Sequence, residues 1–278
     1  MKKLLKILFG LMLIFIIILS VVYYQDNNSL KVYFFDVGQG DAILIRTPYQ
    51  ENILIDGGPD NTFITKLGRT LPFYDQTIDL IILTHPHDDH LFGLINVLER
   101  YNVKQVLYYP TNHQTEAYTK FKEIISNKDI PLLSAYAGQT FNFKDVTLQI
   151  IYPFPNIEMS NLNNYSMVSR LSYGEIDFLL TGDLEVKGEE IILENYANLE
   201  SEVLKVGHHG SDTSSSLNFL EFIKPDSAII SVGVDNKFNH PSKSVINRLE
   251  KLNIEIYRTD LNGDICFEVS NNNLNLCE

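Results

Sequence analysis

A short apolar run that ends in a cluster of histidines and aspartates constrains this chain more than any other feature. TIDLIILTH (77–85) is uninterrupted by a polar residue from Leu80 to Leu83, as in a strand buried on both faces. HPHDDH (85–90) follows at once, and LFGLINVLER after it has the apolar spacing of a helix. His85 to His90 are therefore expected in a strand-to-helix loop. The chain has seven histidines, and this loop holds three of them with Asp88 and Asp89. The pattern interleaves imidazole nitrogen and carboxylate oxygen, the donors taken by zinc and its neighbours. His85 and His87 can aim at one ion while Asp89 and His90 reach another. Asp88 is expected to point away.

The surrounding pattern is α/β. KVYFFDV and DAILIRT flank Gly38-Gln39-Gly40, NILID ends at Gly57-Gly58, and VKQVLYY precedes the helix-like EAYTKFKEIIS. From Gln139 hairpins are expected, through TFNFKDVTLQIIYP and MVSRLSYGEIDFLLTGD, before strand–helix alternation returns. Two successive β-rich-then-α stretches predict a four-layer sandwich with strands inside and helices outside. At 45% hydrophobic residues, composition allows a full core.

The N-terminus reads differently. Lys2, Lys3 and Lys6 precede an uncharged stretch from Ile7 to Tyr24, which as a helix would cover about 27 Å. Residues 1–24 are expected to form one transmembrane helix, 25–29 a linker and 30–278 the globular domain. Lysines before the span favour a single-pass protein with its domain outside the cytoplasmic membrane. Cleavage as a signal peptide, giving a secreted domain, is the alternative. The net charge of −13 excludes a broad surface for non-specific polyanion binding. Cys266 and Cys277 are not spaced as a metal site, and sequence leaves their pairing open.

Four ligands do not complete two metal sites. Asp183 in LLTGDLE and His208 and His209 in LKVGHHGS each end an apolar strand. Each alone reads equally well as a cap or turn residue; beside HPHDDH they read as ligands.

These motifs, in this order, resemble the metallo-β-lactamase fold. FDVGQGDAILI, LIDGG, LTHPHDDHLFGL, NNYSMVSRLSYGEIDFLLTGDLE, LKVGHHGSDTS and NHPS narrow the resemblance to the soluble metallo-hydrolase domain of ComEC-type competence proteins, which serve DNA uptake. The resemblance implies a four-layer αββα sandwich holding two divalent ions, Zn²⁺ first and Mn²⁺ in competition. His85 and His87 would hold one ion, Asp89 and His90 the other, and Asp183 would bridge them. His208 would complete the second site, with His209 the competing choice. Asp56 would orient ligands, while Asp36 and Asp41 are read as loop architecture. The superfamily's third-motif histidine is missing: His113 comes too early and is read as a surface residue, and Asn164 and Ser166 stand in the region as candidate substrate contacts. Asp89 and His240 are assigned to the reaction itself, His240 as donor of a proton to the leaving oxygen.

A metal-bridging hydroxide in such a site is a nucleophile at neutral pH. The reaction expected is hydrolysis of a phosphodiester, with a phosphate-bearing substrate, DNA included, and no protein partner. Hydrolysis of another ester, thioester or lactone, and a non-catalytic anchored binding module, are the competing readings.

Overall fold

The computed structural model describes residues 2–26 and 29–277, with side chains except at 2, 5 and 18–26. Two mixed sheets face each other. The first has eight strands in the order Asn273–Leu276, Ile265–Ser270, Leu30–Phe34, Ile43–Arg46, Asn52–Ile55, Leu80–Leu83, Val106–Tyr108, Leu132–Ser134. It is antiparallel as far as Asn52–Ile55 and parallel beyond. The second has seven, in the order Glu255–Arg258, Ser227–Ile230, Val203–Lys205, Ile176–Leu180, Val168–Tyr173, Val146–Tyr152, Thr140–Phe143. It too has a parallel part, from Ile176–Leu180 to Glu255–Arg258, and an antiparallel part.

Three apolar cores explain the layering. Leu80 and Ile82 point into the core between the sheets, where they meet Phe178 and Leu180 of the opposite sheet. Ile81 and Leu83 point the other way, onto Leu91, Leu94 and Leu98 of helix Asp88–Arg100. Leu179 and Leu204 pack outward on Phe219, Leu220 and Leu249 of the helices covering the second sheet. A strand buried on both faces must be apolar at successive positions, which is the run seen in sequence. Each Leu or Ile so buried contributes about 1.5–3 kcal/mol.

The helix begins at Asp88, with His87 as its N-cap, so only His85 to His87 lie in the connecting loop. Gly57 and Gly93 let this helix approach the first sheet closely. A Cβ on Gly93 would lie 1.8 Å from the Gly57 carbonyl oxygen, and one on Gly57 2.5 Å from the Leu94 nitrogen. Gly57 N–H donates to the His90 carbonyl at 2.7 Å, and Gly93 N–H to that of Gly58 at 3.1 Å.

The expected transmembrane helix is corrected. Among the described residues no helix is long and apolar enough to cross a membrane. The N-terminal helix spans Lys2–Asp26. Of the expected linker, 25 and 26 fall in this helix, and 27 and 28 lie outside the described residues. Cys266 and Cys277 form a disulfide across the last hairpin.

Candidate metal centre

The parallel strands deliver the site. Asp56 follows Asn52–Ile55, His85 follows Leu80–Leu83, Asp183 follows Ile176–Leu180, and His208 and His209 follow Val203–Lys205. In α/β sheets, ligands gather outside the carboxyl ends of such strands. Here the ends of both sheets converge on one place.

Asp183 is its centre. Its Oδ2 lies 3.4 Å from His90 Nε2, 3.4 Å from His209 Nε2 and 3.9 Å from His85 Nε2. Asp89 Oδ2 lies 3.5 Å from His209 Nε2 and 4.0 Å from His90 Nε2. His87 Nδ1 approaches His85 Nε2 to 2.8 Å. Four donor triads among the described residues are compact enough for an ion: His85–His90–Asp183, Asp89–His90–His209, Asp41–Asp56–His90 and Asp41–Asp183–His209.

The outer nitrogen of each buried histidine is already committed. His90 Nδ1 donates to Asp56 Oδ2 at 2.7 Å, and His209 Nδ1 to the Ser231 carbonyl at 2.9 Å. Thr84 gives its hydroxyl proton to Asp56 at 2.6 Å, which leaves its oxygen to accept from His85 Nδ1 at 3.2 Å. This fixes the tautomers by inference from the bonding pattern. All three rings then turn Nε2 toward the Asp183 carboxylate. His90 Nε2, His209 Nε2 and Asp183 Oδ1 are buried with no hydrogen-bond partner among the described residues. Buried polar atoms without partners are costly, and a metal ion satisfies this set: imidazoles oriented by outer oxygens around a shared carboxylate fit a divalent cation.

Charge follows the same plan. Burial opposes ionisation of Asp183, but His209 and His90 outweigh it and hold the carboxyl well below its usual range. Burial likewise opposes protonation of His90, yet Asp183, Asp56 and Asp89 raise it well above the ordinary histidine value. His209 is raised well above it in the same way, by Asp183, Asp41 and Asp89 against burial. His85 goes the opposite way, kept neutral by burial and by the nearby His90. Its Nε2 therefore keeps a lone pair, which His87 Nδ1 approaches to 2.8 Å. The carboxylates make a cation-seeking site that protons fill when no metal does.

Several side chains are placed differently from the sequence-based expectation. His209, not His208, enters the donor triads. Both have left-handed backbones, with φ of 53° and 46°, which non-glycine residues rarely adopt. His209 is buried, whereas His208 sits on the rim beside Glu185 Oε1 at 3.2 Å and 4.0 Å from Asp183 Oδ2. Asp41 is not simply loop architecture: it is buried, 3.5 Å from His209 Nδ1 and 3.9 Å from His90 Nδ1. Asp36 remains a loop residue, accepting from Gly38 N–H at 3.1 Å. Asn164 has its amide bound to Glu185 and Gly188, so it braces the framework instead of facing substrate. Ser166 Oγ accepts from Asp183 N–H at 3.0 Å and touches His85 Nδ1 at 3.2 Å, linking the two loops. His113 is half-buried, its ring 6.1 Å from that of His87, and not a detached surface residue.

Lys205 escaped the sequence reading. Fully buried, it pairs with Asp41 Oδ2 at 2.5 Å and donates to the Gly182 carbonyl at 3.0 Å, tying one sheet's loop to the other's. A lysine inside the apolar strand VLKV was its signal. His240 lies on the rim with its ring 5.5 Å from that of His208. Burial and the neighbouring histidines push its pKa down to about 4. A neutral imidazole at physiological pH is poorly matched to the expected proton donation.

Residues 35–234 match the model of the metallo-beta-lactamase superfamily. ComE operon protein 3 of Bacillus subtilis is 29% identical over 274 residues, covering 92% of this chain and 35% of that protein. Competence protein ComA of Neisseria gonorrhoeae is 31% identical over 243 residues, 87% of this chain and 32% of the other. Both are ComEC-type competence proteins, and the chain spans about a third of their length. The solved metallo-beta-lactamase fold protein YhfI of Bacillus subtilis superposes with a TM-score of 0.61 at 11% identity, over 87% of this chain and 100% of that one. That likeness concerns the fold.

Proposed function

Since this chain belongs to the metallo-β-lactamase superfamily, we propose that it is a metal-dependent phosphodiester hydrolase acting on nucleic acid or its fragments outside the cytoplasm. The observation that carries the reading is the convergence of His85, His90 and His209 Nε2 on Asp183, each ring anchored behind by an oxygen. His85, His87 and Asp183 would hold one divalent ion and Asp89, His90, His209 and Asp183 a second, with Zn²⁺ or Mn²⁺ the candidates. Such ions activate water and neutralise charge on a phosphoryl oxygen.

The chain's own residues supply the rest. Asp56 and Ser231 hold His90 and His209 in the tautomer that presents Nε2. Ser166 keeps Asp183 in register with His85. Asn163 Nδ2 lies 3.2 Å from His208 Nε2, and the His240 ring 5.5 Å from that of His208. A neutral His240 is suited to donate a hydrogen bond to a non-bridging phosphate oxygen, and Ser242 caps helix Lys243–Lys251 beside it. The Cys266–Cys277 disulfide supports an oxidising compartment. The likeness to competence proteins supports nucleic acid over a lactam.

The test compares metal-loaded protein on a short DNA oligonucleotide, a simple phosphodiester and a carboxylic ester. Cleavage of the phosphodiesters with the ester spared agrees with the proposal. Turnover of the ester alone moves the reaction to acyl chemistry, and no turnover of any removes the enzyme reading.

A further inference from the structure

A cavity of about 560 Å³ opens beside the histidine cluster. Its wall includes Tyr109, Asn112, His113, Glu158, Met159 and Tyr165. Two residues of its wall adjoin the metal centre. His113 stands 6.1 Å, ring to ring, from His87. Tyr165 directly precedes Ser166, whose hydroxyl touches His85 and Asp183. Whatever fills the cavity is therefore the neighbour of whatever reaches the centre.

The wall favours a flat, neutral, aromatic occupant. Tyr109 and Tyr165 stack on each other at 5.6 Å and 20°. The Tyr165 hydroxyl accepts from Met159 N–H at 2.8 Å and lies 3.1 Å from its carbonyl, and that of Tyr109 bonds to the Ile157 backbone. Both tyrosines line the cavity, and their hydroxyls are tied to the 157–159 segment. Among the described residues neither lysine nor arginine lines it, and Glu158 does, so a phosphate is disfavoured there. Asn112 and Glu158 add a donor and acceptors at the periphery, suited to the polar edge of a heterocycle. Bases bind proteins by this combination of stacking and edge hydrogen bonds.

Resting on the phosphodiesterase reading above, we infer that this cavity is a nucleobase subsite, which seats the base of the nucleotide whose phosphate lies at the metal centre. Binding then depends on the base and not only on charge, which suits a chain of net charge −13 that cannot rely on a basic surface.

The experiment is calorimetric titration of the metal-loaded full chain with thymidine 5′-monophosphate and, separately, with deoxyribose 5-phosphate. The nucleotide is expected to bind about tenfold more tightly, in line with the stacking of one base. Tyr109→Leu should erase that difference, while Tyr109→Phe, which keeps the ring, should preserve it. Equal affinities in the wild type, no binding of either, or a difference unaltered by Tyr109→Leu would each overturn the subsite. Equal binding through the phosphate leaves the phosphodiesterase reading standing. Base-dependent binding without turnover of any phosphodiester sinks that reading and leaves the subsite.

Discussion

The floor and the rim of the site are built from the same residue types under opposite conditions. His90 and His209 on the floor are buried, anchored through Nδ1, and held protonated by carboxylates when no metal is bound. His208 and His240 on the rim are partly open, and the carboxylate nearest to His208 among the described residues is that of Glu185. His208 and His209 are neighbours in sequence, yet one belongs to each region. An anchored second nitrogen and an enclosing set of carboxylates, more than the presence of imidazole, mark a residue as a metal holder. On this view floor variants lose metal, and rim variants keep it.

The sharpest way to break that division is the adjacent pair. His209→Ala is expected to lose an ion and reduce hydrolysis to background, whereas His208→Ala keeps full metal content; mass spectrometry of both proteins checks this. The reverse result would exchange their roles. A smaller effect is expected at Asp56, whose carboxylate meets the back of His90 and the hydroxyl and backbone N–H of Thr84. Asp56→Asn should weaken metal affinity by about 10–100-fold, as is typical for groups behind a ligand; a chelator competition would reveal an unchanged affinity, contrary to this account.

The smallest effect is on stability of the metal-free protein against pH. His90 and His209 have raised folded pKa values, so their stabilisation is complete below the unfolded value of about 6.5 and is lost as pH rises through the folded values. His85, His87 and His240 are lowered, so their contribution is present above about 6.5 and lost as pH falls toward the folded values. Melting temperature without metal should therefore peak near pH 6.5 and fall by a few degrees on both sides. In His209→Gln the alkaline fall should shrink. A flat profile would show that His90 and His209 do not differ in charge from His85, His87 and His240.

Much of this division was legible in sequence, and what was not has a physical cause. The apolar run Leu80–Leu83 and the HPHDDH loop announced a strand buried on both sides and a donor cluster, because side-chain period and donor chemistry are local properties. LIDGG and TGD likewise marked strand ends. The choice between His208 and His209 depended on two successive left-handed residues, which no spacing rule reveals. Asp41 and Lys205 meet only because loops from different sheets converge, a long-range fact. Asn164 was misjudged for the same reason: Glu185 and Gly188 occupy its amide from another element. The N-terminal segment was read from hydropathy as a span, and the described helix does not bear that out.

The most direct measurement is the metal content of the purified protein beside that of Asp183→Ala. Among the described residues, Asp183 is the one carboxylate within 4.0 Å of His85, His90 and His209 together. About two divalent ions per chain in the wild type, with both sites depleted in the variant, is the predicted result. A wild type that binds no metal, or a variant that retains both ions, would contradict a centre organised around Asp183.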